Sequence, residues 1–302
     1  MTYKYILGID GGGTKTLGVL YDLKGQEVSR KIFGYSNFSV SPEVSKQHIE
    51  ETIDYFTQLY KDKMIVVCGI AGASKLVDQD GYKKELEAKY SVDIIIVSDA
   101  EIALYSIKKD TTSCAIMVLG GTGSAIMLSE GNTSHIIGGF GHILGDEGSG
   151  YHLSITALKN IINEYEENEE VSELSKLILK EIKAESYFDI KSFVYNQSKS
   201  DIAALSEFIA SCAMAGNEMA KDLFIEQGKH LARQTILAYK KLNVCDNVVI
   251  GIRGGFLLNA PFVKETLISE LEKSNINVRI DLDPCEPVVG AYYLGLKKVL
   301  MR

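Results

Sequence analysis

The most constraining feature of the sequence is a glycine-rich segment, GIDGGGTKT, that lies between two strand-like segments near the start of the chain. Residues 3–10 predict a buried strand, and the apolar alternation over 16–22 predicts a second strand directly after the glycines. A Walker-type phosphate loop needs a lysine after its last glycine and then a helix. Here Thr14 follows Gly13 and a strand follows the loop, which excludes that motif and the Rossmann fingerprint. The glycines therefore predict a β-hairpin whose backbone N–H groups can approach an anion.

Side chains in this hairpin can add donors to its backbone amides. The hydroxyls of Thr14 and Thr16 and the ammonium of Lys15 lie within the segment, and each can donate to an anionic oxygen. A glycine-rich turn that binds nothing is the alternative, although three consecutive glycines exceed what a turn requires. We therefore interpret the hairpin as a phosphate-binding loop.

The same pattern returns later in the chain. Residues 114–139 again predict strand, glycine loop, strand, turn and strand, with GGTGS (120–124) as the second glycine loop. Two such hairpins, each opening an α/β segment, predict two domains of related topology. Two glycine loops at equivalent positions can bind one polyphosphate, which is stronger evidence for a phosphate site than either loop alone.

The remaining segments predict an α/β protein. Continuous apolar runs that end in glycine or polar residues are typical of strands buried in a mixed sheet with helices on its faces. Ser41 and Asn259 are predicted helix caps, each with a proline close behind it. The further predicted elements are strands over 27–34, 64–72, 92–99, 247–252 and 277–283, helices from Ser41, around 80–90, from Asn259 and from Pro287, and mainly helical structure over 147–243.

Composition limits the class of protein. The chain has 32 basic and 40 acidic residues and a formal charge of -8, which argues against nucleic acid and anionic membranes as partners. No apolar signal segment and no apolar run of about 18 residues is present, so the sequence predicts neither secretion nor a membrane span. A reduced, cytoplasmic compartment fits the cysteines, whose wide spacing predicts no zinc site and no disulfide framework. They are Cys68, Cys114, Cys212, Cys245 and Cys285.

Asp99 is the candidate for chemistry. It ends the apolar run VDIIIVSD, where a carboxylate has no packing reason to be, and strand ends in open α/β sheets face a ligand crevice. Phosphoryl transfer needs alignment, charge neutralisation and an acceptor for the hydroxyl proton. We predict that Asp99 is this acceptor. A cap for the helix that follows is the alternative, and it is compatible with catalysis.

Six segments carry a family resemblance, in the same order, over nearly the whole chain. They are GIDGGGTKT (8–16), SDAEIAL (98–104), GGTGS (120–124), GFGHILGDEGSGY (139–151), GGFLLNAP (254–261) and EPVVGAYYLGL (286–296). In these segments the sequence resembles the N-acetylglucosamine kinase and BadF/BadG-type ATPase group of the sugar kinase, actin and heat-shock-protein superfamily. The GDEGS block is the most specific of the shared motifs.

The resemblance implies an α/β fold of two related ribonuclease H-like, actin-like ATPase domains with a cleft between them. The first domain is expected over 1–112 and the second, with a helical insertion, over 113–286. The closing helix, 287–302, is expected to pack back on the first domain.

The resemblance also implies binding of ATP and Mg²⁺. Asp10 would lie beside the phosphates and hold the metal through water, because a hard cation that keeps several waters suits a lone carboxylate. A cap of its own loop is the alternative for Asp10. The implied ATP-binding residues are Asp10, Gly12, Gly13, Thr14, Lys15, Gly121, Thr122, Gly123, Ala213, Gly216, Gly254 and Gly255.

For the sugar, the family pattern points to Asn37, Asp99, Gly139, Phe140 and Asp146. Asparagine and aspartate can bind adjacent ring hydroxyls, and Phe140 can offer an apolar face. Close relatives often carry tryptophan at this position, whereas this chain has no tryptophan, so the pocket around an acyl group is expected to differ. His142 can contribute to the site or be a structural histidine, and Glu147 is first a helix-start residue and second a ligand contact.

The implied function is an ATP- and Mg²⁺-dependent kinase that phosphorylates the 6-hydroxyl of N-acetylglucosamine or a close relative. Its partner is a small amino sugar, and a homodimer is possible. One alternative is an ATPase activator of an acyl-CoA reductase or dehydratase, but such activators carry cluster-binding cysteines beside and beyond the second loop, and no cysteine follows Cys114 until Cys212. A second alternative is a non-catalytic sugar sensor. Such sensors usually carry an added DNA-binding region, and the negative net charge of this chain does not favour one.

Overall fold

The computed structural model describes residues 3–61, 63–109, 114–131, 133–167, 171–243, 245, 247–282 and 285–301. The chain divides into two compact units: one comprises Met1–Ala115 with Asp283–Arg302, and the other comprises Ile116–Leu282. The boundary predicted between residues 112 and 113 lies outside the described residues.

The elements of the described chain alternate between strands and helices, as the apolar pattern predicted. In order they are β1 (Tyr5–Gly11), β2 (Thr16–Asp22), β3 (Glu27–Phe33), α1 (Pro42–Leu59), β4 (Met64–Ile70), a 3₁₀ turn (Ala73–Lys75), α2 (Gln79–Tyr90), β5 (Asp93–Ser98), α3 (Asp99–Lys108), β6 (Cys114–Gly120), β7 (Ser124–Glu130), β8 (Thr133–Gly138), α4 (Gly150–Glu167), α5 (Glu173–Glu181), α6 (Asp189–Asn196), α7 (Lys199–Met214), α8 (Glu218–Lys241), β9 (Val248–Arg253), α9 (Gly255–Asn259), α10 (Val263–Lys273), β10 (Val278–Asp281) and α11 (Pro287–Leu300). Among the described residues, no helix is long and apolar enough to cross a membrane.

The first unit is built on a five-stranded sheet in the order β3-β2-β1-β4-β5. The glycine hairpin is confirmed, since β1 and β2 pair antiparallel, and β1, β4 and β5 run parallel to one another. All seven residues of β4 are buried, as expected for a parallel strand covered on both faces. Parallel pairing brings the carboxyl ends of β1, β4 and β5 to one edge of the sheet, which is where a ligand crevice is expected.

Alternate residues of β1 pack against different helices. Leu7 belongs to a core cluster with Ile53 and Phe56 of α1, whereas Ile6 belongs to a cluster with Val288 and Tyr292 of α11. This alternation follows the two-residue period of a strand. The first sheet is therefore a middle layer between helices.

The helix α11 approaches α3 without room for a side chain at Gly290. A Cβ added there would overlap the backbone carbonyl oxygen of Ile102, which cannot move without distorting α3. In an exposed helix, Gly→Ala stabilises by about 1 kcal/mol. For Gly290→Ala we expect the opposite sign, a loss of about 2 to 3 kcal/mol in the free energy of unfolding, because of this overlap. Urea unfolding followed by circular dichroism measures it, and a variant as stable as the wild type would contradict the packing.

The second unit has its own five-stranded sheet, in the order β10-β9-β6-β7-β8. β7 pairs antiparallel with β8, and β9 pairs parallel with β10. The predicted helical region corresponds to α4 to α8. Within it α4 packs on α7, and α8 packs on α10 and on β7. The second glycine loop lies between β6 and β7, so the predicted repeat of the hairpin pattern is confirmed.

Two predictions about local structure are wrong. Asn259 does not cap a helix: it ends the short helix α9, and α10 begins after Phe262, whose backbone is left-handed with φ of 64°.

The second wrong prediction concerns the cysteines, which are not all free thiols. Cys114 and Cys245 are disulfide-bonded. Cys114 begins β6 and Cys245 lies shortly before β9. These two strands are neighbours in the sheet order, so the topology of the sheet, and not the spacing of the cysteines in the sequence, explains the disulfide.

Candidate functional site

The tip of the first glycine hairpin is open. The amide of Gly12 donates to the carbonyl of Lys15 at 3.0 Å, while Gly13, Thr14 and Lys15 are exposed. A Cβ added to Gly12 or Gly13 would meet its nearest neighbour at 3.6 or 3.8 Å, which is ordinary contact distance. The described fold does not itself require glycine at these two positions, so close approach of a ligand to the backbone is the better explanation.

Thr16 is not available as a donor to a ligand, so that part of the prediction is wrong. Its side chain is fully buried. Its hydroxyl donates to the carbonyl of Gly34 at 2.6 Å and lies 2.5 Å from the hydroxyl of Ser36. Thr16 therefore fastens the base of the hairpin to the segment after β3, and Thr14 and Lys15 remain the side-chain donors at the tip.

Two carboxylates meet at the carboxyl edge of the first sheet. Asp10 is the next-to-last residue of β1, and Asp99 follows the last residue of β5. In the register, Gly11 is level with Ile70 and Ile70 with Ser98, so both carboxylates belong to the same edge. The strand pattern predicted that Asp99 ends a strand at a crevice, whereas the place of Asp10 beside the phosphates was implied by the family resemblance.

The environment of Asp10 disfavours its charged form. Burial and, after it, the nearby charge of Asp99 raise the pKa of Asp10 from 3.8 to about 6; Glu286 contributes a smaller increase, while Lys15 acts in the opposite direction. A carboxylate held beside another carboxylate at the end of a strand has an unfavourable electrostatic environment. A bound cation would relieve it.

Asp99 begins α3 but does not cap it. The cap is Ser98, whose hydroxyl oxygen accepts a hydrogen bond from the amide of Glu101 at 3.1 Å. The alternative interpretation of Asp99 as the helix cap is therefore wrong. As the first helical residue, it has no capping role to occupy its carboxylate.

Asn37 lies near the same hairpin. It forms an isolated parallel bridge with Ala71, which follows β4, and its Oδ1 accepts from the amide of Ser39 at 2.8 Å. Its Nδ2 would lie 3.8 Å from a Cβ added to Gly13. Asn37 thus sits beside the glycine tip, with its side-chain oxygen used by the backbone.

In the second unit, the glycine loop forms one wall of a cavity of about 610 Å³. Gly121 and Thr122 line it, together with Gly150 at the start of α4. The other walls come from α7 and from α9 with the residues next to it. These are Ser200, Ala203, Ala204, Ser206, Glu207, Ala210, Gly255, Phe256, Asn259 and Ala260.

Two of the glycines predicted to bind ATP, Gly254 and Gly255, lie where β9 ends and α9 begins. Gly254 has φ of 100°, and a Cβ there would overlap the backbone of Gly120, so the fold itself requires glycine. Gly255 lines the cavity, and a Cβ added to it would have no neighbour within 4 Å. Of these two glycines, the packing of this unit therefore explains Gly254 and does not explain Gly255.

Ala213 and Gly216 are not among the residues that line the cavity. Ala213 is buried near the end of α7, and Gly216 follows that helix. The cavity uses the earlier turns of α7, where Ser200, Ala203 and Ala210 lie on one helical face. Sequence reasoning missed these residues, although small side chains at helical spacing were a visible signal.

The predicted sugar residues of the second unit differ in exposure. Phe140 is 75% exposed, whereas Asp146 is 4% exposed. Gly139 has φ of 70° and Asp146 has φ of 69°. Asp146 accepts from the amide of Ser124 at 3.2 Å and forms an ion pair with Lys199, at 2.6 Å between Oδ2 and Nζ.

The GDEGS segment is held by two glutamines of α8. The buried Gln227 accepts through Oε1 from the amide of Gly148 at 3.0 Å and contacts Nδ1 of His152 at 2.9 Å. Gln234 donates to the carbonyl of Glu147 at 3.3 Å. Glutamines seven residues apart lie on one face of a helix, so α8 fixes this loop from a single side. His142 instead packs edge-on against the ring of Tyr151, with centroids 4.9 Å apart.

Comparisons with known proteins agree with this architecture. The N-acetylmuramic acid/N-acetylglucosamine kinase of Clostridium acetobutylicum is 29% identical over 289 residues, which cover 92% of this chain and 93% of the relative. The N-acetyl-D-glucosamine kinase of Dictyostelium discoideum is 25% identical over 98% of this chain and 99% of the relative. A crystal structure of ROK hexokinase from Thermus thermophilus superposes with a TM-score of 0.62 at 14% identity, over 99% of this chain and all of the hexokinase chain.

These similarities confirm the predicted α/β fold of two actin-like ATPase domains. The model of the BadF/BadG/BcrA/BcrD ATPase family matches residues 7–295, which include five of the six motif segments completely and the sixth up to Gly295. The chain therefore belongs to the BadF/BadG/BcrA/BcrD ATPase family.

Proposed function

We propose that the chain is an ATP-dependent kinase that transfers the γ-phosphoryl group to the 6-hydroxyl of N-acetylglucosamine or a close relative, such as glucosamine or N-acetylmuramic acid. The family and the named kinases among its relatives make it a phosphotransferase that acts on a sugar hydroxyl. The observation that carries the finer proposal is the pair of carboxylates, Asp10 and Asp99, at one edge of the first sheet.

Asp99 is the proposed general base. As the sugar oxygen forms its bond to the γ-phosphorus, the bond from that phosphorus to the β–γ bridging oxygen breaks, and ADP leaves with that electron pair. The hydroxyl proton passes to the carboxylate of Asp99. Such a transfer needs mainly alignment and charge stabilisation, so one oriented carboxylate is sufficient as the base.

Asp10 fits a role as the Mg²⁺-holding residue. Mg²⁺ prefers oxygen ligands and commonly binds through one or two carboxylates together with substrate phosphates. The raised pKa of Asp10, caused first by burial and next by the charge of Asp99, supports this role, because a bound cation would stabilise the charged form of the carboxylate. A bound Mg²⁺ would neutralise phosphate charge during the transfer.

We assign the cavity of the second unit to the adenosine part of ATP. Its volume of about 610 Å³ is within the usual range of small-molecule sites. Thr122 and its neighbouring glycines supply phosphate donors at one wall, and Phe256 supplies an aromatic surface at another. Gly12, Gly13, Thr14 and Lys15 of the first unit are the other proposed phosphate-binding residues.

Gly255→Val tests this assignment. Because a Cβ at this position meets no described atom within 4 Å, we expect the unfolding midpoint to change little. The added side chain would enter the cavity, so the KM for ATP should rise about tenfold or more. Steady-state kinetics measures it, with an unchanged KM for the sugar as the control. An unaltered KM for ATP would place adenosine elsewhere.

For the sugar, we propose contacts from Asn37, Asp99, Gly139, Phe140 and Asp146. The free Nδ2 side of Asn37 and the exposed ring of Phe140 can offer a donor and an apolar face to a substituted ring. The exposure of Phe140, 75%, supports a role in binding more than a role in the core.

The proposal is tested by release of ADP from MgATP in the presence of glucose, glucosamine, N-acetylglucosamine or N-acetylmuramic acid, with and without Mg²⁺. We expect an amino sugar to give the highest kcat/KM and activity to require Mg²⁺. A preference for glucose over every amino sugar would overturn the substrate assignment.

Mass-spectrometric fragmentation of the product tests whether the 6-hydroxyl is the position that is phosphorylated. We further propose a cytoplasmic location, where ATP is available, which cell fractionation tests, and a homodimer, which light scattering tests.

A further inference from the structure

Lys199 lies at a position where its positive charge does not stabilise the helix to which it belongs. It is the first residue of α7, directly after the capping serine Ser198, which forms a capping box with Asp201. A cation at a helix N-terminus opposes the helix dipole. The position of this ammonium is therefore explained by what it faces and not by helix stability.

The ammonium of Lys199 faces the second glycine loop. A Cβ added to Gly123 would lie 2.8 Å from Lys199 Nζ and 2.8 Å from Asp146 Oδ2. Both charged groups therefore occupy the space that a side chain at Gly123 would fill. The residues next to Gly123 and Lys199, Thr122 and Ser200, both line the cavity. The ammonium thus lies between the loop and the start of α7, and the cavity is lined by the residues next to it in the chain and not by Gly123 or Lys199 themselves.

The partner of Lys199 holds it there. The Asp146 carboxylate is 4% exposed, while the Lys199 side chain is 33% exposed. Asp146 is itself fixed by the amide of Ser124. A rigid, buried carboxylate paired with a partly exposed ammonium fixes the direction of the cation and leaves it accessible to a second anion.

From this geometry we infer that Lys199 is a phosphate-binding residue of the second glycine loop, and that Asp146 positions it. The inference rests on the proposed function for the identity of the nucleotide. The first glycine loop lacks the lysine of a Walker motif, and Lys199 supplies a compact positive charge for nucleotide phosphates from a distant helix. Asp146 then has a second role besides the proposed contact with the sugar.

The test is calorimetric titration, in the absence of sugar, with the Mg²⁺ complex of AMPPNP and separately with adenosine. We expect Lys199→Met to weaken binding of AMPPNP by about tenfold to a hundredfold and to leave binding of adenosine unchanged. Lys199→Arg should retain most of the affinity. Lys221→Met is the matched control, because Lys221 forms an exposed ion pair with Glu218 on α8, and it should bind as the wild type does.

A double variant separates phosphate binding from mere neutralisation of Asp146. Lys199→Met leaves a buried carboxylate unpaired and can destabilise the protein, whereas Lys199→Met with Asp146→Asn removes both charges. If Lys199 binds phosphate, the double variant stays as weak toward AMPPNP as the single one. Recovery of wild-type affinity in the double variant, an equal loss for adenosine, or wild-type affinity in Lys199→Met would each overturn the inference. A wild-type protein that binds neither nucleotide probe would overturn the proposed function with it.

Discussion

We expect Asp99→Asn to lower kcat for sugar phosphorylation by about 10² to 10⁴-fold, the usual contribution of a general base. The amide has nearly the shape of the carboxylate but cannot accept the hydroxyl proton. The KM values for ATP and for the sugar should change much less than kcat, because the amide can still hydrogen-bond to the hydroxyl. Initial-rate kinetics of ADP release measures both.

Glu101→Gln is the matched control for this substitution. Glu101 lies two residues further along α3 and is half-buried, and burial raises the pKa of its carboxyl. Loss of that charge should leave kcat within a few-fold of the wild type. Normal turnover by Asp99→Asn, or an equal loss in Glu101→Gln, would remove Asp99 from its proposed role.

Asp10→Asn is expected to lower activity by about 10²-fold or more, because the variant lacks the carboxylate proposed to hold Mg²⁺ near the phosphates. Its dependence on Mg²⁺ should also shift to higher metal concentrations. A titration of activity against Mg²⁺ measures this shift. A variant with wild-type activity and wild-type Mg²⁺ dependence would show that the metal is held elsewhere.

The same substitution should stabilise the free protein at neutral pH. The pKa of Asp10 is about 6 in the folded protein and 3.8 in its ordinary state, so the folded protein holds this proton more tightly than the unfolded chain does. The folded wild type therefore loses stability as the pH rises from about 4 to about 6, and Asp10→Asn escapes this loss. We expect its free energy of unfolding, relative to the wild type, to rise by about 1 to 2 kcal/mol between pH 4 and pH 7, less than the full linkage because the carboxyl keeps some exposure. Urea unfolding without nucleotide measures the difference, and a constant difference across this range would show that Asp10 has an ordinary pKa.

The sequence was informative where function follows from the end of an element. Asp99 could be placed at the crevice edge of a sheet because apolar runs mark strands and strand ends in open α/β sheets face a crevice. The glycine hairpin could be told from a P-loop because the alternation of Leu17, Val19 and Tyr21 shows a strand. These inferences need only local pattern and a topology rule.

Other features depended on partners that the sequence does not specify. The hydroxyl of Thr16 looked free in the motif, but Ser36 and Gly34 use it. The pair of Asp146 and Lys199 joins residues 53 positions apart, and nothing local indicates that they meet. A pairing of this kind depends on how α7 lies against the second glycine loop, which only the tertiary structure defines.

The position of α11 in the first unit has a consequence for synthesis of the chain. The first unit contains both ends of the chain, whereas the second is one continuous segment. Val288 and Tyr292 of α11 complete the core that contains Ile6 and Val19. A ribosome therefore releases every residue of the second unit before the first can bury that face of its sheet. During translation, the apolar face of the first sheet that packs against α11 therefore stays exposed until the end of the chain has been synthesised.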